Sequence, residues 1–183
     1  MSEQSTLYPA KAQEEAAHWP QLQHAARLGV SFRSERKEDR PFLEALYRST
    51  REAELDRTPW NDAQKQAFIA MQFAAQHRHY HDHYPEALWL VLQHLGVPVG
   101  RLYLERWPKE HRIIDIALLP QQRGSGIGGA VLTDLMEEAA AADKAVSIHV
   151  EKENPAMRLY RRLGFTKTED KGVYDLLSWS AKS

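Results

Sequence analysis

The sequence predicts an α/β protein built on one mixed, mostly antiparallel central sheet with helices on both faces. Three observations lead there. Between residues 87 and 119, three strand-like stretches follow one another with only short reversals between them, the pattern of an antiparallel meander. The third stretch leads through a short polar segment into the turn Arg123-Gly124-Ser125-Gly126-Ile127-Gly128-Gly129, and an amphipathic helix follows at once. Length and composition suit one core, because 183 residues at 43% hydrophobic content can bury a single domain interior.

Taken in order, residues 1–28 are polar and alanine-rich, with Pro9 and Pro20 limiting any helix. They are expected to form an N-terminal extension, partly helical or mobile, ahead of a domain spanning 29–183. Residues 29–34 alternate as a first strand does. Residues 38–50 place Phe42, Leu43, Leu46 and Tyr47 on one side of a helix, and a second helix is expected over 61–79, capped by Asn61 or Asp62. Strands follow at 87–95, 99–106 and 112–119, reversed at Gly96-Val97-Pro98 and at Trp107-Pro108-Lys109-Glu110. The helix after the glycine turn carries Ile127, Val131, Leu132, Leu135, Met136 and Ala139 as an apolar stripe that should lie on the sheet. A strand at 146–150, a short helix at 155–163 and final strands at 165–169 and 173–178 complete the expected order.

The glycine turn is suited to holding a phosphate. Glycines let the backbone approach an anion closely, and the first N–H groups of the following helix point at it with the positive end of the dipole behind them. Gly124, Gly126 and Gly129 also spell the dinucleotide pattern, with Glu151 near the ribose-binding position. That pattern needs a strand running directly into the first glycine and a series of βαβ crossovers. Here Pro120 to Arg123 intervene, a meander precedes, and little chain follows Glu151.

Downstream stands Asn154-Pro155-Ala156-Met157-Arg158-Leu159-Tyr160-Arg161-Arg162-Leu163-Gly164-Phe165. Together with Arg123-x-x-Gly126-x-Gly128, this block resembles the GNAT family of N-acetyltransferases, clearly over about 113–165 and more loosely over about 29–179. The resemblance implies a sheet splayed after its fourth strand, with acetyl-CoA as acetyl donor lying in the gap. It implies that Leu118 and Leu119 offer their backbone edge to the cofactor arm. A backbone N–H on that edge would polarise the acetyl carbonyl. Arg123, Gly124, Ser125, Gly126, Ile127 and Gly128 would hold the pyrophosphate, and Asn154 would contact the arm. It places Tyr160 beside the cofactor sulfur as general acid, although a core position beside Leu159 and Leu163 explains the same residue. Asn154 before Pro155 is likewise an ordinary helix start, N-cap followed by N1.

For the general base, His149, Asp115 and Glu151 are the candidates near the splay. His149 and Glu151 share a face of their strand, and an imidazole titrates near neutral pH. Asp115, between two isoleucines, needs a partner if buried. The run from His77 to Tyr84 offers histidine pairs at four-residue spacing, but Arg78 adds positive charge and no zinc spacing emerges, so no metal is expected. The first two helices and their loop are expected to wall the acceptor cleft with Glu52, Glu54, Trp60, Tyr80 and Tyr84.

These observations point to an enzyme that moves acetyl from acetyl-CoA to a primary amine by direct attack, the acceptor being a small molecule or a peptide. The alternative is a non-catalytic acyl-CoA-binding or sensing module on the same fold. The absence of cysteine excludes disulfides, thiolate metal sites and a cysteine acyl-enzyme. A net charge of −1 implies no broad attraction to nucleic acid or an anionic membrane. The opening Met1-Ser2-Glu3-Gln4 lacks the basic and apolar regions of a secretory signal, and no apolar run suits a bilayer, so a cytoplasmic protein is expected. Self-association as a homodimer stays open.

Overall fold

The computed structural model describes residues 18–181. Its elements are α1 (His24–Arg27), β1 (Val30–Ser34), α2 (Arg40–Leu55), α3 (Asp62–His83), β2 (Leu88–His94), β3 (Val97–Arg106), β4 (Glu110–Leu118), α4 (Ile127–Ala141), β5 (Ala145–Glu151), α5 (Met157–Arg162), β6 (Thr166–Lys171) and β7 (Tyr174–Trp179). The strands form one sheet in the order β1-β2-β3-β4-β5-β7-β6. Every neighbouring pair is antiparallel except β4 and β5, which run parallel. This is the expected mixed sheet.

Two helices run longer than expected. α2 continues through a charged segment to Leu55, and α3 continues through the histidine run to His83. Both extensions are stabilised side by side along one helix: Arg48–Glu52 and Arg51–Glu54 pair on α2, and His83 bonds the carbonyl of His79 on α3. At the start of α3, Asn61 accepts from the N–H of Gln64 while Gln64 accepts from that of Asn61, each at 2.9 Å. That reciprocal cap fixes where the helix begins.

The two faces of the sheet are unlike. On one, α4 lays Val131, Leu132 and Leu135 against Leu102, Leu104, Ile113, Val146 and Ile148 in the main apolar core. Toward the other face, a second apolar cluster joins α2 to α3 through Leu43, Tyr47, Leu55, Ile69 and Phe73. Between that cluster and the sheet lies a buried polar layer: Arg101, Glu105 and Arg112 are each under a tenth exposed. Charges are buried at this cost only when partnered, and the partners define the site described below.

The end of the expected extension that is described belongs to the main core. Trp19 and Leu22 pack against it and Ala25 is fully buried. Asp134, buried on α4, accepts the backbone N–H groups of His24 and Ala25 at 2.9 and 3.0 Å, so a side chain from a distant helix caps α1. What was expected of residues 1–17 lies outside the described residues.

Candidate active site

The opening in the sheet arises where β4 and β5 part. Their parallel pairing runs from Glu110↔Ala145 to Ile113↔Ile148 and stops there, although both strands continue. Beyond that point β5 keeps its bonds to β7 and β4 keeps its bonds to β3. Leu119 donates to Val99 at 2.8 Å, and because strand groups alternate sides, Ile116 and Leu118 turn their backbone N–H and C=O groups into the gap.

A bulge sits at the point of parting. Tyr103 pairs with Asp115 but Leu104 pairs with Ile113, leaving Ile114 as the extra residue. The bulge places Arg112 and Asp115, three residues apart, on the same polar face. Asp115 therefore meets Arg101 at 2.5 Å and accepts from the Tyr80 hydroxyl at 3.4 Å. Arg101 also donates to Gln76 at 2.9 Å. Asp115 is partly buried, and the partner it meets there is the buried Arg101.

At the end of the gap stands the glycine turn. Gly124 and Gly126 have φ of +72° and +88°, the left-handed region that glycine adopts without strain, and Gly126 forms the N-cap of α4. A Cβ at Gly124 would meet nothing within 4 Å, so the turn presents open backbone. This arrangement suits a phosphate: bare N–H groups, a fifteen-residue helix behind them, and Arg123 beside them. The Arg123 Nε donates to the Leu118 carbonyl at 3.0 Å, and its guanidinium also donates to Ser49 Oγ at 3.1 Å. It folds along the very edge that the gap exposes. Ser125 closes the turn through a 2.5 Å bond to the Gln122 carbonyl.

Tyr160 is 4% exposed, edge-on to Phe165 in the main core, and its hydroxyl makes no hydrogen bond among the described residues. Burial pushes its phenol well above the ordinary range, and the nearby Asp115 charge adds to this. The core position offered for Tyr160 is therefore what the packing shows, and its hydroxyl stays protonated without a protein partner among the described residues. Asn154 does not cap the helix: α5 begins at Met157 with Ala156 as N-cap. Asn154 Oδ1 instead accepts from the Ala156 N–H at 2.9 Å, a local turn that absorbs Pro155 before the helix starts.

The other base candidates diverge. His149 is exposed on β5, with Nδ1 3.5 Å from Arg112, and partial desolvation followed by the Arg112 charge holds it below its usual value. Glu151 is tied to Arg51 of α2 at 2.9 Å and accepts from Tyr174 at 3.4 Å. The C-terminal part of α2 thereby reaches both sides of the gap, Ser49 touching Arg123 and Arg51 touching Glu151.

Among the expected acceptor residues, the structure brings Tyr80 to Asp115 and sets Glu52 and Glu54 on the bridging part of α2, paired with Arg48 at 3.4 Å and Arg51 at 3.0 Å. Trp60 packs on Phe68 at 5.0 Å in the loop between α2 and α3. Tyr84 is displaced from the expected place. It stacks on Trp107 of the β3–β4 reversal at 6.3 Å, at the opposite end of the strands from the glycine turn, because α3 carries it past the gap. Sequence reasoning missed Arg51, Arg101 and Tyr174. No local pattern singles out the first two, and Tyr174 reaches Glu151 only through the pairing of β5 with β7, which are not consecutive.

A family model described as Acetyltransferase (GNAT) family matches residues 40–165. No curated protein sequence matches the chain. Among solved structures, a PaiA N-acetyltransferase from Thermoplasma acidophilum in complex with coenzyme A is similar at 15% identity, with 83% of this chain and 99% of that chain covered and a TM-score of 0.58. An acetyltransferase from Thermus thermophilus gives 16% identity, 83% and 97% coverage and a TM-score of 0.58. The ribosomal-protein-S18-alanine N-acetyltransferase from Escherichia coli gives 19% identity, 81% and 90% coverage and a TM-score of 0.51. Identities this low speak to the fold, whereas the family model spans more than half of the sequence and includes the glycine turn, the parted strands and Tyr160. The chain belongs to the acetyltransferase (GNAT) family.

Proposed function

We propose that the protein is an N-acetyltransferase that moves acetyl from acetyl-CoA to a primary amine by direct attack. The observation that carries the reading is the parting of β4 and β5 after Ile113 and Ile148, with the open glycine turn at its end and the unspent hydroxyl of Tyr160 in the same region. The donor supplies an acetyl thioester, whose C–S bond breaks as the C–N bond to the amine forms.

The chain's own groups divide the remaining work. The backbone of 124–128 and Arg123 hold the pyrophosphate, for which Arg123 exchanges Ser49 and Leu118 for the anion. Backbone groups of Ile116 and Leu118 hold the arm, and an N–H there stabilises charge developing on the carbonyl oxygen. Such a donor contributes about 3 kcal/mol to activation. Tyr160 gives its proton to the departing sulfur, and burial keeps that proton in place at neutral pH. The Tyr80–Asp115 pair receives the proton that the amine gives up. His149, drawn toward Arg112, stands outside this path.

Acceptor selection falls to the bridging part of α2 and its neighbours Glu52, Glu54, Trp60 and Tyr80. The test is transfer from acetyl-CoA to a panel of small amines and peptide N-termini, followed by thiol release and product mass. Glu52→Gln with Glu54→Gln should change the acceptor KM while leaving acetyl-CoA affinity unchanged. Tight acetyl-CoA binding without transfer to any amine would favour a sensing module instead.

A further inference from the structure

The polar layer beneath α2 and α3 has a second opening, at the end away from the gap. A cavity of about 460 Å³ lies between the β1–α2 connection, α3 and the start of β2. Its wall residue Trp89 pairs with Tyr103, which pairs with Asp115, so it opens two strands away from Asp115. Its size falls within the range usual for small-molecule sites.

The cavity's charges are unbalanced. Arg36, Lys37 and Arg40 line it; Arg40 meets Glu44 at 2.8 Å and Arg36 feels the Asp39 carboxylate, which Arg33 already holds at 2.6 Å, while Lys37 forms no ion pair among the described residues. The one acidic residue lining the cavity, Glu35, is already engaged. It accepts from the Tyr103 hydroxyl at 2.5 Å and lies 4.0 Å from His77, and burial pushes its carboxyl above the usual range. The His77 Nδ1 is buried with no hydrogen-bond partner, an uncompensated polar atom in the lining.

The walls are flat. Trp89, half-buried, stacks on the exposed His81 at 3.9 Å and holds that ring in fixed orientation, while Phe73 behind them is buried under His77 at 5.6 Å. Cations beside rigid ring walls suit a ligand with an anionic head and a planar body. We propose that this cavity is a second ligand site for a small flat organic acid, with its carboxylate held by Arg36 and Lys37 and its ring against Trp89 and His81.

The test uses the full chain saturated with CoA, so that the acetyl-transfer site is occupied. Indole-3-acetate and its uncharged counterpart indole-3-acetamide are titrated by calorimetry, with the imidazole resonances of His77 and His81 followed by NMR. The acid should bind roughly tenfold more tightly than the amide, the scale of two partly screened charge contacts, and should shift both histidines. Arg36→Gln with Lys37→Gln, both on the surface, should abolish that preference without changing thermal stability or CoA affinity. Equal binding of acid and amide, no binding of either, displacement of the acid by CoA, or an undiminished preference in the double variant would each overturn the proposal. The readout is binding rather than acetyl transfer, so its failure is distinct from failure of the proposed activity.

Discussion

Tyr160 shows how a single side chain can be readable by position and opaque by environment. The motif around it placed it in the sequence, but its packing on Phe165 and its unspent hydroxyl required the fold. Tyr160→Phe keeps the ring and should cut turnover by roughly 10²- to 10⁴-fold with little effect on CoA affinity, measured by steady-state rates and calorimetry. Unchanged turnover with chemistry rate-limiting would reduce it to a packing residue. Asp115 needs gentler handling. Removing one partner of a buried pair such as Arg101–Asp115 costs about 3–5 kcal/mol in stability, so Asp115→Asn with a thermal-melt control is the informative change. His111 gives a prediction of a different kind. Its side chain is almost fully buried, and burial outweighs the Glu138 charge 3.6 Å away, holding it below its ordinary value of 6.5. The unfolded chain then takes up the proton first on acidification. Stability is therefore complete about one pH unit above the unfolded value of 6.5 and falls as pH drops through it toward the folded value. Melting temperature should decline between about pH 7.5 and 5.5, and His111→Asn should make that decline shallower. An unaltered slope would exclude His111 as the titrating group.

At the level of elements, periodicity and turn chemistry made nearly every strand and helix legible, because alternation and the three-to-four spacing are local properties. What was not legible depended on distant partners. The start of α5 moved to Met157 because Asn154 spends its side chain on a turn. The reach of α2 to Leu55 placed Arg51 on Glu151, and no local pattern reveals that bridge. The glycine turn is where the local pattern and the observed backbone coincide most closely, with Gly124 and Gly126 both in the left-handed region. Gly126→Asp puts a carboxylate where the phosphate approaches and asks a non-glycine residue to take φ of +88°. Asp tolerates that conformation better than most, so the fold should survive at a cost of about 1 kcal/mol, while CoA affinity falls sharply. A folded variant with unchanged affinity by calorimetry would move the phosphate site elsewhere.

For the whole molecule, the division into an apolar face under α4 and a polar face under α2 and α3 explains why the hydrophobic pattern alone described only half of the sheet's surroundings. The buried charges of Arg101, Glu105 and Arg112 carry no local sign of burial, because their partners come from other elements. Coupling between distant parts is equally non-local. Asp134→Ala would leave two backbone N–H groups of α1 without their acceptor and should cost about 1–3 kcal/mol, or several degrees in melting temperature. A variant melting like the parent would show that other contacts hold that segment. The bulge at Ile114 has a consequence for how the chain tolerates change in length. Because side chains in a strand alternate, β4 works as a counter whose parity is reset once, at Ile114. Losing that single residue would turn Asp115 or the stretch before it to the wrong face, setting a carboxylate among leucines or an arginine in the main core. A one-residue deletion that the neighbouring reversal could absorb would here exchange the inside and outside of half a strand, so the length of β4 is as constrained as its composition.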